Sequence, residues 1–227
     1  YFHHNDAAGM SCQGLMFFGT PEYCQGNVIR NNTVTYNGAM AISVSSFSAG
    51  TPLIDQRNAF VSNTIENNLF AYNFRGTYPT LSSDPNVNNA SGIYAGKYWN
   101  IYLWLSEPRG IGTAWVNDNT YGNIIRNNLT LHEDTSVIGF LLLSRWPEDG
   151  GYLQYDETRW SAAGGGANNL RTTTSQMVSP TDPHLLSTSI ARNAGNNSGA
   201  VLAGLGSALT FLESAVDIGI YEYGGAD

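Results

Sequence analysis

The chain has 227 residues, enough for one domain with its own core, and a formal net charge of −8. Only 12 % of the residues are charged, about half the usual share of a soluble domain, and Lys97 is the sole lysine. This balance excludes the basic surface of a nucleic-acid-binding protein, and no apolar run is long enough for a membrane-spanning helix.

The N-terminal segment contains both cysteines and part of a repeat. The five residues from Tyr1 to Asn5 match the last five positions of a repeat found three times further on, and Gly9–Cys12 takes the place of the strand that follows it. We therefore expect an incomplete first coil. The opening on Tyr1, without a signal peptide, is typical of a mature or trimmed exported product. In such a protein we expect a disulfide between Cys12 and Cys24, with two buried thiols as the alternative.

Residues 27–37, 63–73 and 123–133 align without gaps as three copies of this repeat. Each has Asn at position 1, Ile at position 3, the pair Asn-Asn at positions 5 and 6, and Tyr or His at position 10. When copies stack at the strand spacing, equal positions form columns. We predict an apolar core column of Ile29, Ile65 and Ile125. At position 6 we predict a ladder of hydrogen-bonded amides formed by Asn32, Asn68 and Asn128.

A second strand-like stretch follows each copy, at residues 38–44, 91–95 and 137–143. Insertions rich in Pro, Gly, Ser and Asn, at residues 78–89 and 105–119, lengthen the coils, and such insertions often carry function. Position 4 holds Arg30, Glu66 and Arg126. We interpret this column as surface ion pairs worth about 1 kcal/mol or less each, with binding of an acidic sugar by the arginines as the alternative.

The last third of the chain departs from the repeat. We divide the domain into parallel coils over residues 1–160 and a capping region over residues 161–227. Gly164–Gly166 reads as a loop, and residues 198–214 are small and apolar enough for a short helix or an irregular cap. A stack of coils needs a terminal element that covers its last exposed edge, and this region is the natural candidate.

These motifs resemble the right-handed parallel β-helix proteins of pectate-lyase-like type, whose coils read much like the copies above. The segment Asp217-Ile-Gly-Ile-Tyr-Glu-Tyr-Gly224 is similar to the end of many secreted bacterial β-helix proteins. The resemblance implies an all-β fold: a right-handed parallel β-helix, or solenoid, with long loop insertions and an irregular C-terminal cap. It also implies a secreted or cell-surface location. It does not identify a reaction, because the fold hosts lyases, hydrolases, epimerases, adhesins and phage fibres.

The resemblance to polysaccharide lyases directs attention to a basic residue that abstracts a proton beside a sugar carboxylate. Lys97, which lies among aromatic residues, is the candidate base; an ordinary surface lysine is the alternative. Glu133 and Asp134, at the end of the third copy, are candidates for acid–base work in glycoside hydrolysis. Arg126 is the candidate for binding an acidic sugar.

Aromatic residues are concentrated in one inserted region. The candidates for stacking on sugar rings are Tyr98, Trp99, Trp104 and Trp115. Packing of a long loop against the coils, or contact with another subunit, explains them equally well.

Calcium is the one cofactor for which the sequence offers ligands. Asp84, Asn86 and Asn88 place side-chain oxygens at alternate positions, as calcium loops do. The pattern lacks the Gly and the Glu that complete such loops, since Asn89 and Ala95 stand there. An Asn-rich loop without metal is the alternative.

Two functional hypotheses follow. In the first, the chain is an extracellular module that engages a polysaccharide or a cell-surface glycan; whether it cleaves it, as a lyase or a glycoside hydrolase, stays open. In the second, it is a non-catalytic structural, adhesion or filament-forming surface subunit that self-associates through its open coil edge, because unpaired strand edges pair with other chains.

Overall fold

The computed structural model describes residues 2–3, 6–8, 15–18, 26–37, 41–45, 62–73, 98–104, 120, 122–132, 138–144, 152–179, 182–196 and 216–219. Four successive repeats each contribute three strands. These are β1 (Phe2–His3), β2 (Asp6–Ala8) and β3 (Leu15–Phe18); β4 (Val28–Arg30), β5 (Thr33–Thr35) and β6 (Ile42–Ser45); β7 (Thr64–Glu66), β8 (Leu69–Ala71) and β9 (Tyr98–Trp104); and β10 (Ile124–Arg126), β11 (Leu129–Leu131) and β12 (Ile138–Ser144). They are followed by β13 (Tyr152–Tyr155), α1 (Glu157–Ala162), β14 (Leu170–Thr172), β15 (Met177–Ser179) and β16 (Asp182–Leu185).

The strands of equal rank in the repeats lie side by side in three sheets. The first sheet has the order β1-β4-β7-β10, the middle sheet β2-β5-β8-β11-β14, and the third sheet β3-β6-β9-β12-β13. Neighbours are parallel, except that β13 pairs antiparallel with β12. The described part of the chain is therefore all-β, with three mainly parallel sheets, one antiparallel pair (β15 and β16) and one short helix.

The core column predicted from the repeat is confirmed. Ile29 pairs with Ile65 and Ile65 with Ile125 in the first sheet, and all three are fully buried. Val34 and Phe70 form a second buried pair in the middle sheet. The strands β4, β7 and β10 of the first sheet have only three residues each, but the Ile at repeat position 3 of every copy packs in the same interior.

Left-handed backbone occurs at the first bend of all three copies and at the second bend of two of them. The first Asn of each pair adopts it, with φ of 53° at Asn31, 58° at Asn67 and 53° at Asn127. Tyr36 and Tyr72, at position 10, adopt it as well, and their rings lie 5.0 Å apart. Asn tolerates this conformation because its short polar side chain bonds locally, which explains its place at the first bend.

The predicted alignment of the N-terminal copy is wrong. Phe2 pairs with Ile29 and Asp6 pairs with Thr33, so this copy stands five positions earlier in the repeat than its sequence suggested. Its third strand is β3 rather than Gly9–Cys12. The slip has a physical cause: the Asn positions of the repeat are five residues apart, so a single Asn fits either register.

The third sheet was predicted with mixed success. Strand β12 coincides with the predicted stretch at 137–143. In the repeat before it, the strand that pairs with β12 is β9, seven residues from Tyr98 to Trp104, whereas the prediction of 91–95 falls outside the described residues.

The middle sheet is covered on both faces. Its strands β5, β8 and β11 have every residue buried. The outer face packs against residues 177–179, 182–196 and 216–219, which we call the C-terminal strap. The apolar cluster between them comprises Leu69, Ala71, Leu129 and Leu131 of the sheet with Met177, Leu185, Ala191 and Ile218 of the strap. The strap thus lies along the side of the repeats.

The repeat pattern extends beyond residue 160. Strand β14 pairs in parallel with β11, with Leu170 beside Leu129. The preceding Asn168 has φ of 60°, like the first Asn of each earlier pair. The sequence Asn168-Asn169-Leu170 is therefore a further copy of the Asn-Asn-Leu bend, within the segment that the sequence assigned to the capping region.

Candidate functional site

The predicted ladder at position 6 is confirmed and is one member longer than expected. Asn32 donates its backbone N–H and its Nδ2 to Oδ1 of Asn68, at 3.0 and 2.9 Å. Asn68 repeats both bonds to Asn128, and Asn128 repeats them to Asn169. Each Nδ2 from Asn68 onwards also donates to a backbone carbonyl of the preceding copy. The ladder therefore satisfies buried backbone groups that the bend leaves without strand partners.

Two further ladders run parallel to it. At position 1, Asn27 donates to Asn63 and Asn63 to Asn123, each through backbone N–H and Nδ2. At position 11, Asn37 donates to Asn73 in the same way. These columns were visible in the repeat, but only the position 6 column was predicted to be a ladder.

Position 4 contains a buried carboxylate between two guanidinium groups. Oε1 of Glu66 lies 2.8 Å from Nη2 of Arg30, and Oε2 lies 2.8 Å from Nε of Arg126. Nδ2 of Asn196, in the strap, donates to the same Oε2 at 3.2 Å. Neighbouring copies and the strap thus converge on Glu66.

The column is confirmed, but the prediction of surface ion pairs is wrong. The Glu66 side chain is 0 % exposed and that of Arg30 is 5 % exposed. Arg126 is different, since 37 % of its side chain reaches solvent. The prediction failed because Asn196 of the strap covers the Glu66 carboxylate. The sequence of a repeat does not show a cover that comes from outside the repeat. Of the residues proposed to bind substrate, Arg126 is the one whose side chain the structure describes.

The bend asparagines fasten the strap. Oδ1 of Asn67 accepts the backbone N–H of Asn196 at 2.8 Å, and Nδ2 of Asn67 donates to the Asn196 carbonyl at 3.3 Å. Asn127 donates its Nδ2 to the carbonyl of Ala194 at 3.0 Å. Inside the strap, Asp217 accepts the backbone N–H of Asn193 at 2.7 Å. This contact gives a structural role to the Asp of the terminal Asp-Ile-Gly motif.

The aromatic candidates Tyr98, Trp99 and Trp104 belong to strand β9, which lies between β6 and β12 in the third sheet. Their backbone pairs with β12 from Ile138 to Ser144, and their side chains are outside the description. The other predicted site residues lie outside the described residues: Lys97, Trp115, Glu133, Asp134, the calcium candidates Asp84, Asn86 and Asn88, and the cysteines Cys12 and Cys24.

One titratable pair was not predicted. Nδ1 of His184 lies 2.6 Å from Oδ1 of Asp182, and this hydrogen bond lowers the pKa of the Asp182 carboxyl from its ordinary value. The backbone N–H of His184 also donates to this Oδ1 at 3.2 Å, as in the Asx-type turns that Asp side chains form.

The described ranges contain neither a cluster of metal-ligating side chains nor a helix that could span a membrane. They bring together no group of three or more His, Cys, Asp or Glu side chains that could hold a metal ion. The one helix among them is too short to reach across a bilayer.

Comparison with known proteins returns no similarity on which to draw. No family model, no curated protein and no solved structure matches the chain.

Proposed function

We propose that the chain is a right-handed parallel β-helix, secreted or displayed outside the cell, that binds polysaccharide. Three parallel sheets visited in rotation support the architecture. Connections between parallel strands of one sheet are right-handed in about 98 % of cases, which supports the handedness. The proposal of export rests on the resemblance of the repeat to pectate-lyase-like proteins.

The composition of strand β9 is the main support for polysaccharide as the ligand. Four of its seven residues are aromatic, and it occupies the centre of the third sheet. Tyr98, Tyr102 and Trp104 stand at positions that alternate with the buried Ile101. Successive strand residues belong to opposite faces, so these three share the face opposite Ile101. Aromatic rings on one face present flat apolar surface with a polar edge, which suits sugar rings.

Two serines stand in register with aromatic positions of β9. Ser43 stands beside Tyr102 on one side, and Ser144 stands beside Trp104 on the other. Trp99 alternates with Tyr98 and therefore shares the phase of Ile101, so we leave it out of the proposed surface.

Binding to a panel of soluble polysaccharides, measured by affinity electrophoresis, tests this proposal. Tyr102→Ala and Trp104→Ala should each weaken binding roughly tenfold, as expected when one stacking contact is lost. Val178→Ala is the matched control, because Val178 is 56 % exposed and lies on β15, outside the third sheet. Equal binding by all variants, or no binding by the wild type, contradicts the proposal. Release of reducing ends in the same samples decides whether the module also cleaves its ligand.

A second candidate function is that of a non-catalytic surface subunit that self-associates. The order of the three sheets favours it, since β1, β2 and β3 each stand at an end of their sheet among the described strands. Edge strands pair readily with other strands. Sedimentation velocity over a wide range of protein concentrations tests it: growth with concentration supports association, and an unchanging monomer contradicts it.

A further inference from the structure

The opposite end of the stack, beyond β10 and β11, has a distinct construction. Where the Ile column would continue, Gly166 follows Ile125, and it has no side chain to fill the interior. Trp160 of α1 fills it: its side chain is fully buried, and Nε1 donates to the carbonyls of Gly165 at 2.9 Å and Ile125 at 3.2 Å. A Cβ on Gly165 would lie 2.1 Å from the Trp160 ring, so glycine is required there.

The helix α1 itself is held in place by polar contacts. Asp156 caps its N-terminus by accepting the backbone N–H of Arg159 at 2.7 Å. Glu157 binds Arg171 of β14 through two contacts of 2.9 Å. Arg171 pairs with Thr130, in register with the buried Val34 and Phe70, so this ion pair stands at the end of the second interior column.

The surface of α1 on its other side is polar or small. Thr158, Ser161 and Ala162 are exposed. A terminal element with an apolar inner side and a polar outer side is what repeat proteins use to end a stack.

Two other features end the pattern at this level. At the end of the position 1 ladder, the backbone N–H and Nδ2 of Asn123 both donate to the carbonyl of Thr120, at 2.9 and 3.0 Å. In the third sheet, β13 runs antiparallel to β12, so parallel pairing stops there. The core column, the position 1 ladder and the parallel direction of the third sheet therefore end at this level, whereas the middle sheet and the position 6 ladder continue by one member, to β14 and Asn169.

We infer that α1, Trp160 and the Glu157–Arg171 pair form a stop that closes this end of the stack to a further coil from a second copy of the chain. A contact that uses one end of each molecule closes after two copies, whereas filament growth needs both ends. The stop consequently favours a discrete particle over a fibre subunit.

Hydrogen–deuterium exchange of residues 165–172, followed as the concentration of the full chain is raised, tests the inference. In the wild type we expect the exchange of these amides to be independent of concentration. Trp160→Ala opens the interior and Glu157→Arg repels Arg171, so each should make exchange slower at high concentration, as new strands pair with the exposed end. Ser161→Ala, on the exposed side of the same helix, is the control and should behave as the wild type.

The wild-type measurement stands by itself: concentration-dependent protection of residues 165–172 would show another copy on this end and overturn the inference. Circular dichroism reports whether each variant keeps its β structure. The two substitutions differ in severity, because only Trp160→Ala leaves a large cavity. A folded Glu157→Arg chain that shows no concentration dependence would mean that the pair does not close the end.

Discussion

Glu66 offers the sharpest test of the energetics, because one buried carboxylate contacts two arginines and the strap. In Glu66→Gln the side-chain volume is kept, but the charge that neutralises Arg30 is removed while Arg30 remains 5 % exposed. Breaking a buried ion pair from one side costs about 3–5 kcal/mol. For a chain of this size each kcal/mol corresponds to about 2–4 °C, so the melting temperature should fall by about 6–20 °C.

The matched control is Glu157→Gln, which removes one carboxylate from a bidentate arginine pair of similar length. Glu157 and Arg171 are 21 % and 23 % exposed, so solvent screens their attraction, and the expected loss is about 1 kcal/mol or less. Urea unfolding followed by circular dichroism at neutral pH measures both variants. Equal losses for Glu66→Gln and Glu157→Gln would refute the argument that burial sets the cost.

A second experiment separates the cost of removing one partner from the net contribution of all three charged residues to stability. Replacing Arg30, Glu66 and Arg126 together by Met removes all three charges and retains apolar volume. The desolvation of buried charges often outweighs their attraction, so this triple variant should be about as stable as the wild type and far more stable than Glu66→Gln. A triple variant as unstable as the single one would show that the ions contribute net stability.

Two other predictions concern the ladder and the strap. Asn68→Ala removes the acceptor for two Asn32 donors and the donor for two backbone carbonyls, so it should lower the free energy of unfolding in urea by about 3 kcal/mol. Asn27 is half-buried at one end of its ladder, so Asn27→Ala should lower it by about 1 kcal/mol. Similar losses at both sites would contradict the ladder argument. The pKa of Asp182 is lowered in the folded chain by its hydrogen bond to His184, so the stability it contributes is present above the unfolded pKa and is lost as pH falls through the folded value. NMR titration should show the Asp182 pKa rising in His184→Ala, and an unchanged pKa would contradict the assignment.

Much of the repeat geometry was predictable because the interactions are local and periodic. Equal positions of stacked copies must form columns, so the pairing of Ile65 with Ile29 and of Asn68 with Asn32 follows from an alignment without gaps. The same periodicity explains the failure at the N-terminus, where one Asn fits two registers. The bend at Asn168-Asn169 has the same Asn-Asn pair, but glycines precede it where the other copies have Asn and Ile, so the copy is not recognisable by alignment.

The sequence by itself determined the all-β class, the core column, the position 6 ladder and the column of Arg30, Glu66 and Arg126. Tertiary structure alone decided that this last column is buried, because the cover comes from Asn196, 130 residues beyond Glu66. It also decided that the C-terminal strap lies on the middle sheet and that Trp160 ends the Ile column. These contacts join segments that share no repeat, and no periodic pattern in the sequence records which distant surface a non-repeating segment will cover.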